Sequence, residues 1–299
     1  MSFQSRLGCW WARLYVKQKP PGEAALVDFT RRRFRTPGWL VWIHSLGMKI
    51  ERVEPPVKGE WISPPKFSRE QPVVYYLHGG GYISGSAKSC RPITATLARL
   101  LKARVFGLDY RLAPEHHFPA GLDDGVAGYR WLLSSGIDSH SIVVVGDSAG
   151  GGMALALALR IRNAGEPLPA CLVCLSPWTD MTGTSDSLTT NSERDSMFVG
   201  EDIERYAGAY LADHSRHDPL ASPLLGDLGG LPPILIQVGR DEVLLDDARS
   251  LHAKVRAVGG SSTLHIYDGV PHGWHYGAPF VPETRQALRE VAEFIRTLR

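Results

Sequence analysis

From residue 72 onward, short continuous apolar runs alternate with amphipathic stretches, and this alternation leaves the chain few architectures. The runs VVYYLHG, RVFGLDY, SIVVVGD, ACLVCLS, ILIQVG and TLHIYDG read as strands, and stretches around 89–102, 120–135, 149–163, 242–258 and 282–298 read as helices. Strands without a polar face need cover on both sides, so the expected class is α/β: a mostly parallel central sheet flanked by helices. Two stretches break the pattern: residues 1 to about 55, helical and Trp-rich, and 180 to about 225, rich in Thr, Ser, Asp and Tyr. The second lies between a strand ending near Trp178 and one beginning near Pro233, which places it at the carboxyl edge of the sheet, where open α/β folds bind ligands. Both are expected to form a helical cap. The division is then 1–55 for its first part, 56–179 for the core, 180–225 for its second part and 226–299 for the rest of the core. The Pro-rich connection from Glu54 to Pro65 has room for one or two edge strands.

With 43% hydrophobic and 21% charged residues in 299, the chain can bury a sizeable core, and disorder is excluded as its main state. A formal charge of +2 gives no electrostatic reason for a nucleic-acid partner. The cluster Arg31, Arg32, Arg33, Arg35 reads as a solvated helix face. Cys9, Cys90, Cys171 and Cys174 make no disulfide framework, and the C-x-x-C of 171–174 falls in a buried strand where the two side chains face opposite ways. A reducing, cytoplasmic setting is expected, with no secretory signal and no integral membrane segment. Phe3, Leu7, Trp10, Trp11 and Leu14 recur at helical spacing; a packed lid helix is the ordinary reading and a helix lying on a membrane surface the alternative.

Chemistry concentrates in three places. Gly146-Asp147-Ser148-Ala149-Gly150 is a G-x-S-x-G turn between a strand and a helix, which projects a serine hydroxyl above the sheet and aims a helix N-terminus at it. His78-Gly79-Gly80-Gly81 ends the first core strand and offers backbone N–H groups to a developing oxyanion. A serine nucleophile needs a base and the base an orienting acid, and the chain supplies both in that order. Asp241 follows the strand ILIQVG, with Asp246, Asp247 and Asp268 as rivals. The two rivals in the following helix are accounted for by its dipole. His272 follows TLHIYDG in the Pro-His-Gly loop; His265, inside the strand, and His275, beyond the turn, rank behind it. Trp10, Trp11, Met197, Phe198, Tyr206 and Tyr210 are candidates to line a substrate pocket, although aromatic residues at helical spacing are more often core.

These motifs, with Asp109-Tyr110-Arg111-Leu112-Ala113-Pro114-Glu115, Phe118-Pro119-Ala120 and Asp123-Asp124, occur in family order over about 72–275. Their combination resembles the hormone-sensitive-lipase-like (bacterial type IV) carboxylesterases of the α/β-hydrolase fold. The resemblance implies an ester hydrolase for short- to medium-chain substrates, with Ser148 as nucleophile, His272 as general base and acid, Asp241 as orienting carboxylate, and Gly80, Gly81 and Ala149 as oxyanion donors. His78 would brace its loop, and Arg111 and Glu115 would tie down the loop beneath the site. No metal or organic cofactor is implied, the partner is a small-molecule ester, and a homodimer is the weakly favoured assembly. The sequence departs from the family pattern at Gly152, commonly Asn, and after Asp241, where Glu-Val-Leu-Leu replaces Pro-Leu-Arg. Lactonase and amidase chemistry share the acyl-serine step. A receptor of this fold that has lost its histidine, and a true lipase with a mobile apolar lid, are the other readings; the presence of His272 argues against the receptor.

Overall fold

The computed structural model describes residues 1–298 apart from 19–21, 23, 24 and 69. Three helices come first, α1 (Phe3–Tyr15), α2 (Leu26–Arg33) and α3 (Gly38–Ser45), followed by β1 (Lys49–Val53), β2 (Gly59–Ser63) and β3 (Val73–Leu77). The alternating region is α4 (Arg91–Leu101), β4 (Val105–Leu108), α5 (Ala120–Ser134), β5 (Ile142–Asp147), α6 (Ala149–Asn163) and β6 (Cys171–Leu175). Then come α7 (Ser187–Thr190), α8 (Gly200–Leu211), β7 (Ile234–Gly239), α9 (Leu245–Ala257), β8 (Ser262–Tyr267) and α10 (Pro282–Thr297).

Among the described residues the strands form one eight-stranded sheet, in the order β1-β2-β4-β3-β5-β6-β7-β8. The six strands expected from apolar runs are all present and pair in parallel from β4 to β8. Two antiparallel strands extend one side, β2 on β4 and β1 on β2. The Pro-rich connection therefore holds an inner strand, β2, while the exposed edge is β1, which falls inside the stretch 1–55 expected to belong to the cap.

Strand alternation sorts the core into two layers. Tyr75, Leu77, Phe106, Val144, Leu172, Cys174 and Ile236 join α5, α6 and α9 on one face, and Val74, Tyr76, Val105, Val143, Val145, Cys171 and Leu235 join α4 and α10 on the other. Cys171 and Cys174 thus lie in opposite layers of the same strand, both as free thiols. The stretches 1–55 and 180–225 are tied to each other: Lys17 Nζ donates to the Ser192 and Asp195 carbonyls, at 2.5 and 2.6 Å.

Arg31 is more than a solvated member of its cluster. It donates to the Ile83 and Ala113 carbonyls and pairs with both Glu115 oxygens, at 2.7 and 2.6 Å, which fastens α2 to the 109–115 segment. Glu115 therefore pairs with α2, and Arg111 pairs separately with Asp124 of α5.

The start of α4 is held to β2 by a bidentate ion pair, Arg91 Nε and Nη2 to the two Glu60 oxygens at 2.7 and 2.6 Å, with both side chains nearly out of solvent. Removing one partner leaves a desolvated charge, so Glu60→Gln is expected to lower unfolding stability by roughly 3–5 kcal/mol. The double variant Glu60→Leu/Arg91→Met is expected to recover most of that loss in urea denaturation; equal losses in both would show that the pair is not the cause.

Candidate active site

The turn from β5 to α6 is among the tightest in the chain. Ser148 has φ 54° and ψ −120°, left-handed for a residue with a Cβ, and its N–H is held by the Leu175 carbonyl at 2.8 Å. The flanking glycines are required by contact: a Cβ on Gly146 would sit 2.1 Å from the Gly150 carbonyl oxygen, and one on Gly150 would sit 2.0 Å from that of Leu77. Ser148 lies at the carboxyl edge of the sheet in the wall of a cavity of about 400 Å³, shared with Gly79, Gly80, Gly81 and His272. Gly80 and Gly81 turn through positive φ (114° and 63°), and their N–H groups have no acceptor among the described residues. Ala149 is buried behind the serine as the first residue of α6.

His272 sits in the loop after β8, and its Nδ1 lies 2.6 Å from a carboxylate oxygen. That carboxylate belongs to Glu242, which corrects the expectation for Asp241. The Asp241 side chain is 35% exposed and pairs with Arg194 at 3.2 Å, whereas that of Glu242 is 1% exposed. The other oxygen of Glu242 accepts from Gly239 N–H at 2.6 Å and Ser176 O–H at 2.7 Å. The reason lies in the turn after β7. Glu242 N–H folds back on the Gly239 carbonyl, which sends residue 241 outward and residue 242 beneath the histidine loop. The signal was in the sequence, since Glu242 leads directly into Val243-Leu244-Leu245, an apolar run that has to be buried.

The rivals are placed elsewhere. Asp246 accepts from Ser187 N–H and pairs with Arg249, and Asp268 is largely exposed and pairs with Arg240. Asp247 is more than a helix-dipole residue: it is buried and accepts from Thr179 N–H, Asp180 N–H and Ser185 O–H, so it anchors the start of the 180–225 segment. His265 meets Glu290 at 2.7 Å. His275 is fully buried against Gln237, and burial pushes its pKa down to about 3. His78 stacks on Tyr110 at 4.0 Å, with Nδ1 2.8 Å from the Gly79 carbonyl, which braces the glycine loop.

Two buried carboxylates that sequence reasoning passed over organise this edge. Asp147, the second residue of the elbow motif, accepts from Tyr76 O–H at 2.6 Å and Gly79 N–H at 2.9 Å through one oxygen, and from Tyr276 O–H at 3.1 Å through the other. Asp195 accepts from Met197 and Phe198 N–H through one oxygen and from Val243 N–H through the other. It joins the segment before α8 to the acid-bearing loop, and Phe198 from that segment meets the His272 ring edge-on at 5.1 Å. Burial, reinforced by the Glu242 charge, raises Asp195 to about 6. For His272 burial works downward, but the charge and hydrogen bond of Glu242, helped by Asp195 and Asp147, outweigh it and raise the imidazole above its ordinary value.

Of the expected lining residues, Trp11, Met197, Phe198 and Tyr206 face the cavity; Trp10 points to solvent and Tyr210 stacks on Tyr82 at 3.8 Å. Among the described residues no cluster of three His, Cys, Asp or Glu side chains is arranged to hold a metal ion, and no helix is long and apolar enough to cross a membrane.

The chain is similar to known proteins. Residues 74–276 match the α/β-hydrolase fold family. An acetyl-hydrolase of Streptomyces hygroscopicus is 42% identical over 80% of this chain and 79% of its own. Two solved structures resemble the chain over most of its length. An esterase of the bacterial hormone-sensitive lipase family superposes with a TM-score of 0.83 at 42% identity, covering 94% of this chain and 99% of that one. The esterase EstE5, from a crystal soaked with p-nitrophenyl butyrate, gives 0.89 at 39% identity, covering 100% and 99%. The chain belongs to the α/β-hydrolase fold family and, within it, to the hormone-sensitive-lipase-like carboxylesterases, enzymes that hydrolyse carboxylic esters.

Proposed function

We propose that this enzyme hydrolyses short- to medium-chain carboxylic esters through an acyl-serine, with Ser148 as nucleophile, His272 as general base and acid, and Glu242 as the carboxylate that orients the imidazole. The 2.6 Å contact of His272 Nδ1 with buried Glu242, in a residue that shares a cavity wall with Ser148, carries the reading. Glu242 holds the proton on Nδ1 and leaves Nε2 as the basic nitrogen. Nε2 takes the Ser148 proton as Oγ attacks the ester carbonyl, and the N–H groups of Gly80, Gly81 and Ala149 receive the oxyanion. The proton then passes to the departing alcohol oxygen. A water molecule, deprotonated by the same nitrogen, attacks the acyl-serine, and its proton returns to Oγ as the acid leaves.

Residues 1–55 and 180–225 act as the cap in this proposal, since Trp11, Phe34, Met197, Phe198 and Tyr206 supply apolar cavity wall above the nucleophile. The short-chain preference draws support from the size of the cavity and from relatives described as an acetyl-hydrolase and as soaked with a butyrate ester. A cytoplasmic setting fits the four unpaired thiols.

Initial rates on p-nitrophenyl esters from acetate to palmitate are expected to peak at short to medium chains. They should fall by roughly three orders of magnitude or more in Ser148→Ala, with its circular dichroism unchanged. Wild-type rates in pure Ser148→Ala would remove that residue from the mechanism.

The two adjacent acids separate cleanly. Glu242→Gln is expected to lower kcat by about 10⁴-fold, the scale seen when the orienting carboxylate of such a triad becomes an amide. Asp241→Asn breaks only a half-exposed ion pair and is expected to cost less than about tenfold. The reverse order would return the role to Asp241.

The pH profile tests the electrostatics. Only neutral imidazole accepts the proton, so kcat/KM rises with pH through the His272 pKa, and this limb is expected above the ordinary value of 6.5. Glu242→Gln removes the upward influences of the glutamate and leaves burial in place, so its residual activity should show the limb at lower pH. A limb that stays put in that variant would show that Glu242 does not control the imidazole.

A further inference from the structure

Helix α1 is packed the opposite way from an ordinary lid helix. Its inward side is Ser5, Gly8, Cys9 and Ala12, with Ser5 O–H donating to the Gly269 carbonyl at 2.6 Å, while its bulky apolar residues face solvent. Phe3 is 77% exposed, Leu7 51%, Trp10 57% and Trp11 50%. On α3, Val41 and His44 are buried, and Trp39 (61%) and Trp42 (62%) are exposed. The two helices flank the same opening, because Trp11 and Ala12 on one side and Pro37 and Leu40 on the other line the cavity that contains Ser148.

We propose that α1 and α3 form a docking face for an anionic lipid surface, which seats the cavity mouth against that surface. Charge selects this occupant. In a chain of 33 cationic and 31 anionic residues, stretches 1–22 and 29–50 hold four and five cationic residues and no carboxylate. Some of these cations are engaged within the fold, as Lys17 and Arg31 are, and Glu283 caps Ser2. Arg6 of α1, Arg32 of α2 and Arg35 are exposed, and Arg35 also lines the cavity.

Exposed indoles flanked by arginine suit the boundary between headgroups and acyl chains, where the ring is buried and the cation meets phosphate. A second copy of the chain fits poorly. An isologous contact through this face would lay one predominantly basic rim on another. Ester substrates dissolved in the lipid would then enter the cavity without crossing water. That consequence rests on the esterase reading; the docking itself does not.

The test is co-sedimentation of the full chain with vesicles of phosphatidylcholine alone and of equimolar phosphatidylglycerol and phosphatidylcholine, with p-nitrophenyl acetate hydrolysis in solution as the control for fold. The wild type is expected to partition onto the anionic vesicles with a blue shift of tryptophan emission. The variant Trp10→Ser/Trp39→Ser/Trp42→Ser should lose partitioning and keep its rate on the soluble ester. Arg6→Glu/Arg32→Glu should bind the anionic vesicles about tenfold or more weakly, since each basic residue near such a surface is worth roughly 1 kcal/mol. The proposal is overturned if the wild type stays in the supernatant, or if the tryptophan variant binds as well as the wild type. It is overturned equally by a wild-type dimer in sedimentation equilibrium that the tryptophan substitutions dissociate while vesicles bind neither form.

Discussion

One buried carboxylate holds the reactive edge together. Asp147 ends β5, and its two oxygens receive Tyr76 O–H from β3, Gly79 N–H from the glycine loop and Tyr276 O–H from the segment after His272. The end of β3 with the glycine loop that follows it, and the segment after His272, are therefore referred to a single point one residue from Ser148. Such a group is costly to bury and is tolerated because all its partners are donors. The same carboxylate fixes the glycine loop at its first N–H, that of Gly79, while Gly80 and Gly81 line the cavity with positive φ.

The second organising centre is the acidic loop after β7. Glu242 answers to Gly239, Ser176 and His272, Asp195 ties Val243 to the segment carrying Phe198, and Asp247 anchors residues 179–185. Residues of the 180–225 stretch and the loop that carries Glu242 thus share hydrogen bonds, and Phe198 of that stretch meets the His272 ring. The proximity of these carboxylates also sets their charge. Burial raises Asp195 and Asp247 to about 6, so each stabilises the fold most when protonated, and that contribution is lost as pH rises through about 6. The same field raises His272 above its ordinary value, which suits the general-base role proposed for it.

The inverted packing of α1 separates two forces that usually coincide. Ser5 and Ala12 are buried while the large residues are mostly exposed, so the helix is held by the links of Lys17, Arg13 and Ser5 to backbone carbonyls rather than by an apolar seam. Periodicity located the apolar stripe in α1 correctly, but it carries no information about which side of a helix faces the core.

What the sequence determined was whatever local chemistry dictates. Continuous β-branched runs read as doubly covered strands, and the glycines at 146 and 150 serve a turn whose backbones nearly touch, so the parallel sheet, the elbow and the serine at its tip were legible in the sequence. The histidine loop was legible because it follows a strand that ends at the same edge. Tertiary structure decided which carboxylate meets the imidazole, and the apolar run after Glu242 was the one sequence hint of it. Asp241 and Glu242 are adjacent, and one turn of backbone after β7 sends the first to Arg194 and solvent and the second beneath His272. It also decided that Asp147 and Asp195 are clamps and that the N-terminal aromatics face outward. In each case the deciding partners come from other elements, brought close only by the packing of the sheet and its loops, and no spacing along the chain encodes that proximity.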